Sequence, residues 1–87
     1  MSEAETVSVS LPQWGLTMEN GTVQEWMVEV GEAVAEGEVL VTVETDKAVG
    51  EVESPAAGRV ARILAEEGAE VQPGDVLAEI ELGAKEV

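Results

Sequence analysis

Hydrophobic and polar positions alternate along this chain in short runs. Val39, Val41 and Val43 are interleaved with Leu40, Thr42 and Glu44, the two-residue period of a half-buried strand. Val76, Ala78, Ile80 and Leu82 repeat that period near the C-terminus. Shorter runs at 7–11, 22–28, 48–53 and 59–64 predict four further strands. Glycine or proline punctuates nearly every gap, at Pro12, Gly15, Gly21, Gly31, Gly37, Pro55, Gly58, Gly68, Pro73 and Gly74. Several short strands with frequent turns predict an all-β sandwich or barrel. Residues 60–67 also read as a short helix, but the flanking glycines and the repeat described next favour a strand.

The pattern occurs twice. Residues 21–44 align with residues 58–81 at an offset of 37 without a gap, and nine of 24 positions are identical. Those pairs are Gly21/Gly58, Val23/Val60, Glu29/Glu66, Gly31/Gly68, Val34/Val71, Gly37/Gly74, Val39/Val76, Leu40/Leu77 and Glu44/Glu81. Turn residues and apolar residues repeat in step. Two copies are too few for a solenoid, so the repeat predicts one domain of two similar halves packed face to face.

Composition narrows the function. The chain has 87 residues, 45% of them apolar, and fifteen are valine. That content predicts a folded core rather than an acidic disordered tail. Nineteen acids against four bases give a net charge of −15, which argues against nucleic-acid and anionic-membrane partners. There is no cysteine and no histidine. That excludes a disulfide, a cysteine nucleophile and the commonest general base and metal ligand. Residues 1–6 are acidic and polar, unlike a signal or transit peptide. They are expected to form a disordered tail, with the domain over 7–83 and a second tail or linker stub over 84–87. The expected compartment is the cytoplasm, or a mitochondrial matrix.

Between the repeats stands Thr45-Asp46-Lys47-Ala48, after one strand and before the next. Aspartate favours tight turns, so Asp46 and Lys47 are expected at an exposed hairpin tip. Lys47 is one of two lysines, and Lys85 lies near the C-terminus. On these grounds alone, Lys47 reads either as a surface lysine among Glu44, Asp46, Glu51 and Glu53 or as a lysine presented for covalent modification.

The run Val43-Glu44-Thr45-Asp46-Lys47-Ala48 resembles the lipoyl-lysine motif of 2-oxo acid dehydrogenase complexes. Leu11 through Val23, Glu25-Trp26, Val30 through Val34, Gly37 through Leu40, Ser54-Pro55 through Gly58, and Glu67 through Leu77 are similar to the rest of a lipoyl domain. The resemblance implies a flattened barrel of two four-stranded antiparallel sheets with quasi-twofold symmetry. It implies lipoic acid in amide linkage to Lys47, with Asp46 and Ala48 helping a lipoate-attaching enzyme to recognise that lysine. Gly31 and Gly58 match turn glycines that shape the same end of the barrel, and ordinary turn chemistry with positive φ accounts for both equally well. The loop of Gln13, Trp14, Gly15, Leu16, Thr17 and Met18 matches the one that influences recognition by the thiamine-dependent decarboxylase. Trp14 is expected either exposed there or folded inward, and Trp26 in the core. Arg59 and Arg62 are expected to pair with surface carboxylates.

The implied role is non-catalytic. A swinging arm carries acyl groups and reducing equivalents among the decarboxylase, an acyltransferase core and dihydrolipoamide dehydrogenase. The domain itself is expected to be monomeric. Leu16, Thr17 and Met18 lean toward pyruvate, branched-chain or acetoin complexes. A biotinyl carrier shares the fold, but its motif places methionine on both sides of the lysine, where this chain has Asp46 and Ala48. The longer carrier of glycine cleavage and an unmodified acidic interaction module are the remaining readings.

Overall fold

The computed structural model describes residues 5–15, 18–46 and 48–82. These residues form eight strands: β1 (Thr6–Ser10), β2 (Gly21–Trp26), β3 (Ala33–Val34), β4 (Val39–Glu44), β5 (Val49–Glu53), β6 (Gly58–Ile63), β7 (Glu70–Val71) and β8 (Val76–Glu81). One sheet has the order β1-β8-β6-β3 and the other β5-β4-β2-β7. Every pairing is antiparallel. The two inner faces enclose a core of Val, Leu, Ile and Ala, with Leu40, Val41, Val43, Leu77 and Ile80 wholly buried. Residues 60–63, open to a helical reading, lie in β6.

The internal twofold holds to the level of single hydrogen bonds. Gly31 N–H donates to Val60 O at 2.8 Å, and Gly68 N–H donates to Val23 O at 2.7 Å. Met27 N–H to Leu40 O at 2.7 Å has its mate in Leu64 N–H to Leu77 O at 2.8 Å. Each half turns at glycines in the left-handed region, Gly31 and Gly37 in one and Gly68 and Gly74 in the other, with φ between 88° and 94°. A β-carbon resists that conformation, which is why the glycines recur in register. The symmetry also joins β1 to β5, at a different offset of 43. Val7, Ser8, Val9 and Ser10 pair along β8 as Gly50, Glu51, Val52 and Glu53 pair along β4.

Two expectations are corrected. Strict alternation would turn Leu40 away from Val39 and Val41, yet Leu40, Val41, Thr42 and Val43 are all buried. The β4–β5 register shifts between Val39 and Val41, and the β1–β8 register shifts beside the equivalent Leu77. A bulge puts two successive residues against one, so Leu40 and Leu77 enter the core while Val76 is 39% exposed. Thr42, facing outward in β4, is covered and directs its hydroxyl to Gln24 Oε1 at 3.2 Å. The tail expected over 1–6 does not take in Glu5 and Thr6. Thr6 pairs with Glu81 in β1, and Glu5 O accepts Leu82 N–H at 2.6 Å. Residues 1–4 and the tail expected over 84–87 lie outside the described residues.

Candidate functional site

β4 and β5 pair as far as Glu44 and Val49, and the chain reverses between them. Thr45 closes the turn. Its N–H donates to Ala48 O at 2.8 Å, its hydroxyl donates to the same oxygen at 2.9 Å, and Ala48 N–H donates back to Thr45 Oγ1 at 3.2 Å. A side-chain oxygen that completes a turn lets the backbone reverse tightly without leaving polar groups unpaired. Asp46 and Ala48 are both exposed. Lys47 itself lies outside the described residues, so the geometry of the site is that of its two neighbours and the turn that holds them.

The segment after β1 crosses to this hairpin. It leaves the barrel at Leu11, which is 1% exposed and bonded to Asp75 O through its N–H at 2.9 Å. It then folds on itself. Gln13 Nε2 donates to Gly15 O and, at 3.2 Å, to Met18 O. Met18 N–H donates to Gly15 O at 3.2 Å, and Trp14 N–H points at Met18 Sδ at 3.4 Å. Met18 is half-buried against the core, so it anchors the loop from beneath. Farther along, Asn20 Nδ2 donates to Glu70 Oε2. Leu16 and Thr17 lie outside the described residues.

Trp14 is 41% exposed, which decides between the two placements expected for it. Its ring lies over Gly50. A β-carbon on Gly50 would stand 2.5 Å from Trp14 Cη2 and Cζ3, so the indole needs a glycine at that position. The twofold mate of Gly50 is Val7, so the symmetry is broken where the loop meets the hairpin. Trp14, Gly15, Met18, Thr45, Asp46, Ala48, Val49 and Gly50 line a cleft of about 410 Å³. Thus Trp14, Gly15, Met18, Asp46 and Ala48 come together. Thr45, Val49 and Gly50 join them without having been singled out. A glycine inside a strand signals a close approach, and Gly50 carried that signal.

Gly31 and Gly58 belong elsewhere. Gly58 opens β6 and pairs with Val34, in the sheet that lacks the hairpin. It is a packing glycine rather than a turn glycine. A β-carbon there would meet Ile80 Cγ2 at 2.8 Å and press on Glu81 O. Gly31 does sit in a turn, but its O accepts from Arg59 Nη1 at 2.8 Å on that same sheet. Arg59 therefore bonds a carbonyl rather than the expected carboxylate, while Arg62 Nε does meet Glu79 Oε1 at 3.4 Å. Trp26 is half-buried against the core and donates Nε1–H to Ala65 O at 2.7 Å.

Residues 7–80 match the biotin/lipoyl attachment family, described as "Biotin-requiring enzyme". The chain is 42% identical over 82 residues to the dihydrolipoyllysine-residue succinyltransferase component of the 2-oxoglutarate dehydrogenase complex of Bartonella vinsonii subsp. berkhoffii. That match covers 94% of this chain and 20% of the relative. It is also 42% identical, over 74 residues, to the dihydrolipoyllysine-residue acetyltransferase component of the pyruvate dehydrogenase complex of Zymomonas mobilis subsp. mobilis, covering 84% of this chain and 17% of the relative. The chain thus spans at most a fifth of the length of these two relatives. Among solved structures, the lipoyl domain of the 2-oxoglutarate dehydrogenase complex of Azotobacter vinelandii superposes with a TM-score of 0.73 at 36% identity. The superposition covers 90% of this chain and 99% of that domain. With its two sheets, its hairpin between β4 and β5 and these similarities, the chain belongs to the biotin/lipoyl attachment family and is a lipoyl domain.

Proposed function

We propose that this domain is a swinging-arm carrier for a 2-oxo acid dehydrogenase complex, with lipoic acid joined through an amide to Lys47 Nζ. The observation that supports the reading is the turn closed between Thr45 and Ala48, whose exposed Asp46 and Ala48 line a cleft. The residues fit the group. An amide is uncharged, the turn is held by its own hydrogen bonds, and the surrounding surface leaves an arm free to move. When attached, the lipoyl group supplies a disulfide that takes up an acyl group and two electrons, chemistry that this cysteine-free chain cannot supply. The chain's own part is positional. Thr45 and Ala48 fix the turn, and Asp46 and Ala48 flank the lysine for a lipoate-attaching enzyme.

The partners in this reading are the thiamine-dependent decarboxylase, the acyltransferase core and dihydrolipoamide dehydrogenase, in the cytoplasm or a mitochondrial matrix. The loop of Gln13, Trp14, Gly15, Leu16, Thr17 and Met18 is the surface the decarboxylase meets, and an exposed tryptophan suits an interface hot spot. The carrier unit spans 7–83 and acts as a monomer. Pyruvate, branched-chain and acetoin complexes are the ones we favour from Leu16, Thr17 and Met18. Relatives from pyruvate and 2-oxoglutarate complexes match equally, at 42% identity, so acylation must decide.

Intact mass after incubation with lipoate and a lipoate-attaching enzyme tests the site. One lipoyl group is expected on the wild type and none on Lys47→Arg. Modification of Lys85, or biotin in place of lipoate, overturns the reading. Acylation of the loaded domain by different decarboxylases then identifies the complex.

A further inference from the structure

The cleft beside the hairpin gathers an exposed tryptophan and several apolar residues next to the 45–48 turn. It is lined by Trp14, Gly15, Met18, Ala48, Val49 and Gly50, with Thr45 and Asp46 as its polar members, and the indole of Trp14 lies over Gly50. Trp14 is 41% exposed and Val49 is 50% exposed. The flanking strands, by contrast, carry exposed Glu44, Glu51 and Glu53. A volume of about 410 Å³ falls in the range of small-molecule sites. A lining that is apolar apart from Thr45 and Asp46 suits an uncharged, largely apolar occupant.

The neighbours of position 47 are themselves part of that wall. Asp46 and Ala48 both line the cleft, so any group joined to Lys47 starts at its edge. From these observations we propose that the cleft is a seat for this domain's own lipoyl arm, with the dithiolane ring resting against Trp14 over Gly50 between transfers. The inference rests on the carrier reading above. A tethered group is held at an effective concentration on the order of millimolar. Even a weak seat therefore fills, and a weak seat empties fast enough for the arm to be handed on. Lipoylation also suits arm to cleft, because the amide removes the lysine's positive charge. The broken symmetry gives the seat a local origin. Valine stands at the equivalent of Gly50 in β1, and its side chain would leave no room for the indole to lie flat.

The test uses Trp26→Phe protein, so that Trp14 alone fluoresces, in unmodified and lipoylated forms verified by intact mass. The seated arm should shift Trp14 emission to shorter wavelength and reduce its quenching by acrylamide. Gly50→Val, which expels the indole, should abolish both differences between its loaded and unloaded forms. Octanoylated Lys47, with a chain of similar length and no disulfide, should still move the amide resonances of Ala48, Val49 and Gly50. That outcome separates seating from contact quenching by sulfur. A loaded domain whose Trp14 emission, acrylamide quenching and amide shifts match those of the unmodified one overturns the seat and leaves the carrier reading intact. Such a cleft is then free for a partner's side chain. Absence of any loading overturns the carrier reading itself.

Discussion

A methyl group added at Gly58 has nowhere to go. It would stand 2.8 Å from Ile80 Cγ2 and press on the backbone oxygen of Glu81, which is fixed in the central strand β8. Overpacking of this kind costs about 1–3 kcal/mol, so Gly58→Ala should lower the thermal midpoint by several degrees or more. Its mate Gly21 meets Val43 Cγ1 at 2.6 Å and Glu44 O at 3.1 Å. A valine methyl yields more readily than a carbonyl, so Gly21→Ala should be the milder change. Gly31 has open space around its missing β-carbon but a φ of 94°. Gly31→Ala therefore costs about 1–2 kcal/mol through backbone conformation alone. Melting curves of the three variants check the order, and equal losses at Gly58 and Gly21 would contradict it. The sequence marks all three as glycines between apolar runs and cannot separate them. What distinguishes them is how closely a neighbouring strand passes, which alternation does not encode.

At the level of elements, the β4–β5 hairpin depends on one threonine. Thr45→Val keeps the shape and removes the hydroxyl that bonds both Ala48 O and Ala48 N–H. The loss should be about 0.5–1.5 kcal/mol, felt locally as faster hydrogen exchange at the Ala48 amide. An unchanged exchange rate there would show that the backbone bond from Thr45 N–H holds the turn by itself. This hairpin was legible because Asp46 follows a long valine strand and another strand resumes at once. Six of the strands were legible for the same reason. β3 and β7, at two residues each, are too short to show any period and exist only because β6 and β2 offer them partners. The bulges at Leu40 and Leu77 were hidden because alternation assumes an unbroken ladder. That Trp14 is the group approaching Gly50 was hidden as well, since the two residues stand on either side of the first repeat.

Across the whole molecule, the net charge of −15 sets the ionic response. Among the described residues one ion pair, Arg62 with Glu79, offsets it. Like charges on a compact surface repel, and salt shortens the reach of that repulsion from roughly 30 Å at 0.01 M to roughly 10 Å at 0.1 M. Added sodium chloride should raise the thermal midpoint over that range, and a fall would mean that attractive pairs dominate instead. The 37-residue repeat foretold the twofold of this architecture. The link between β1 and β5 went unseen because its offset is 43 rather than 37. That link has a consequence for topology. The bond from Leu82 N–H to Glu5 O is the mate of the one from Thr45 N–H to Ala48 O, so the eight described strands trace a ring open between Leu82 and Glu5. A bridge as short as Asp46-Lys47 should close Leu82 onto Glu5 without distorting either strand. The loop-entropy relation puts the upper bound of the stabilisation from a circle of this length at about 4–5 kcal/mol. The backbone circle should therefore melt well above the linear form, with its lysine hairpin untouched.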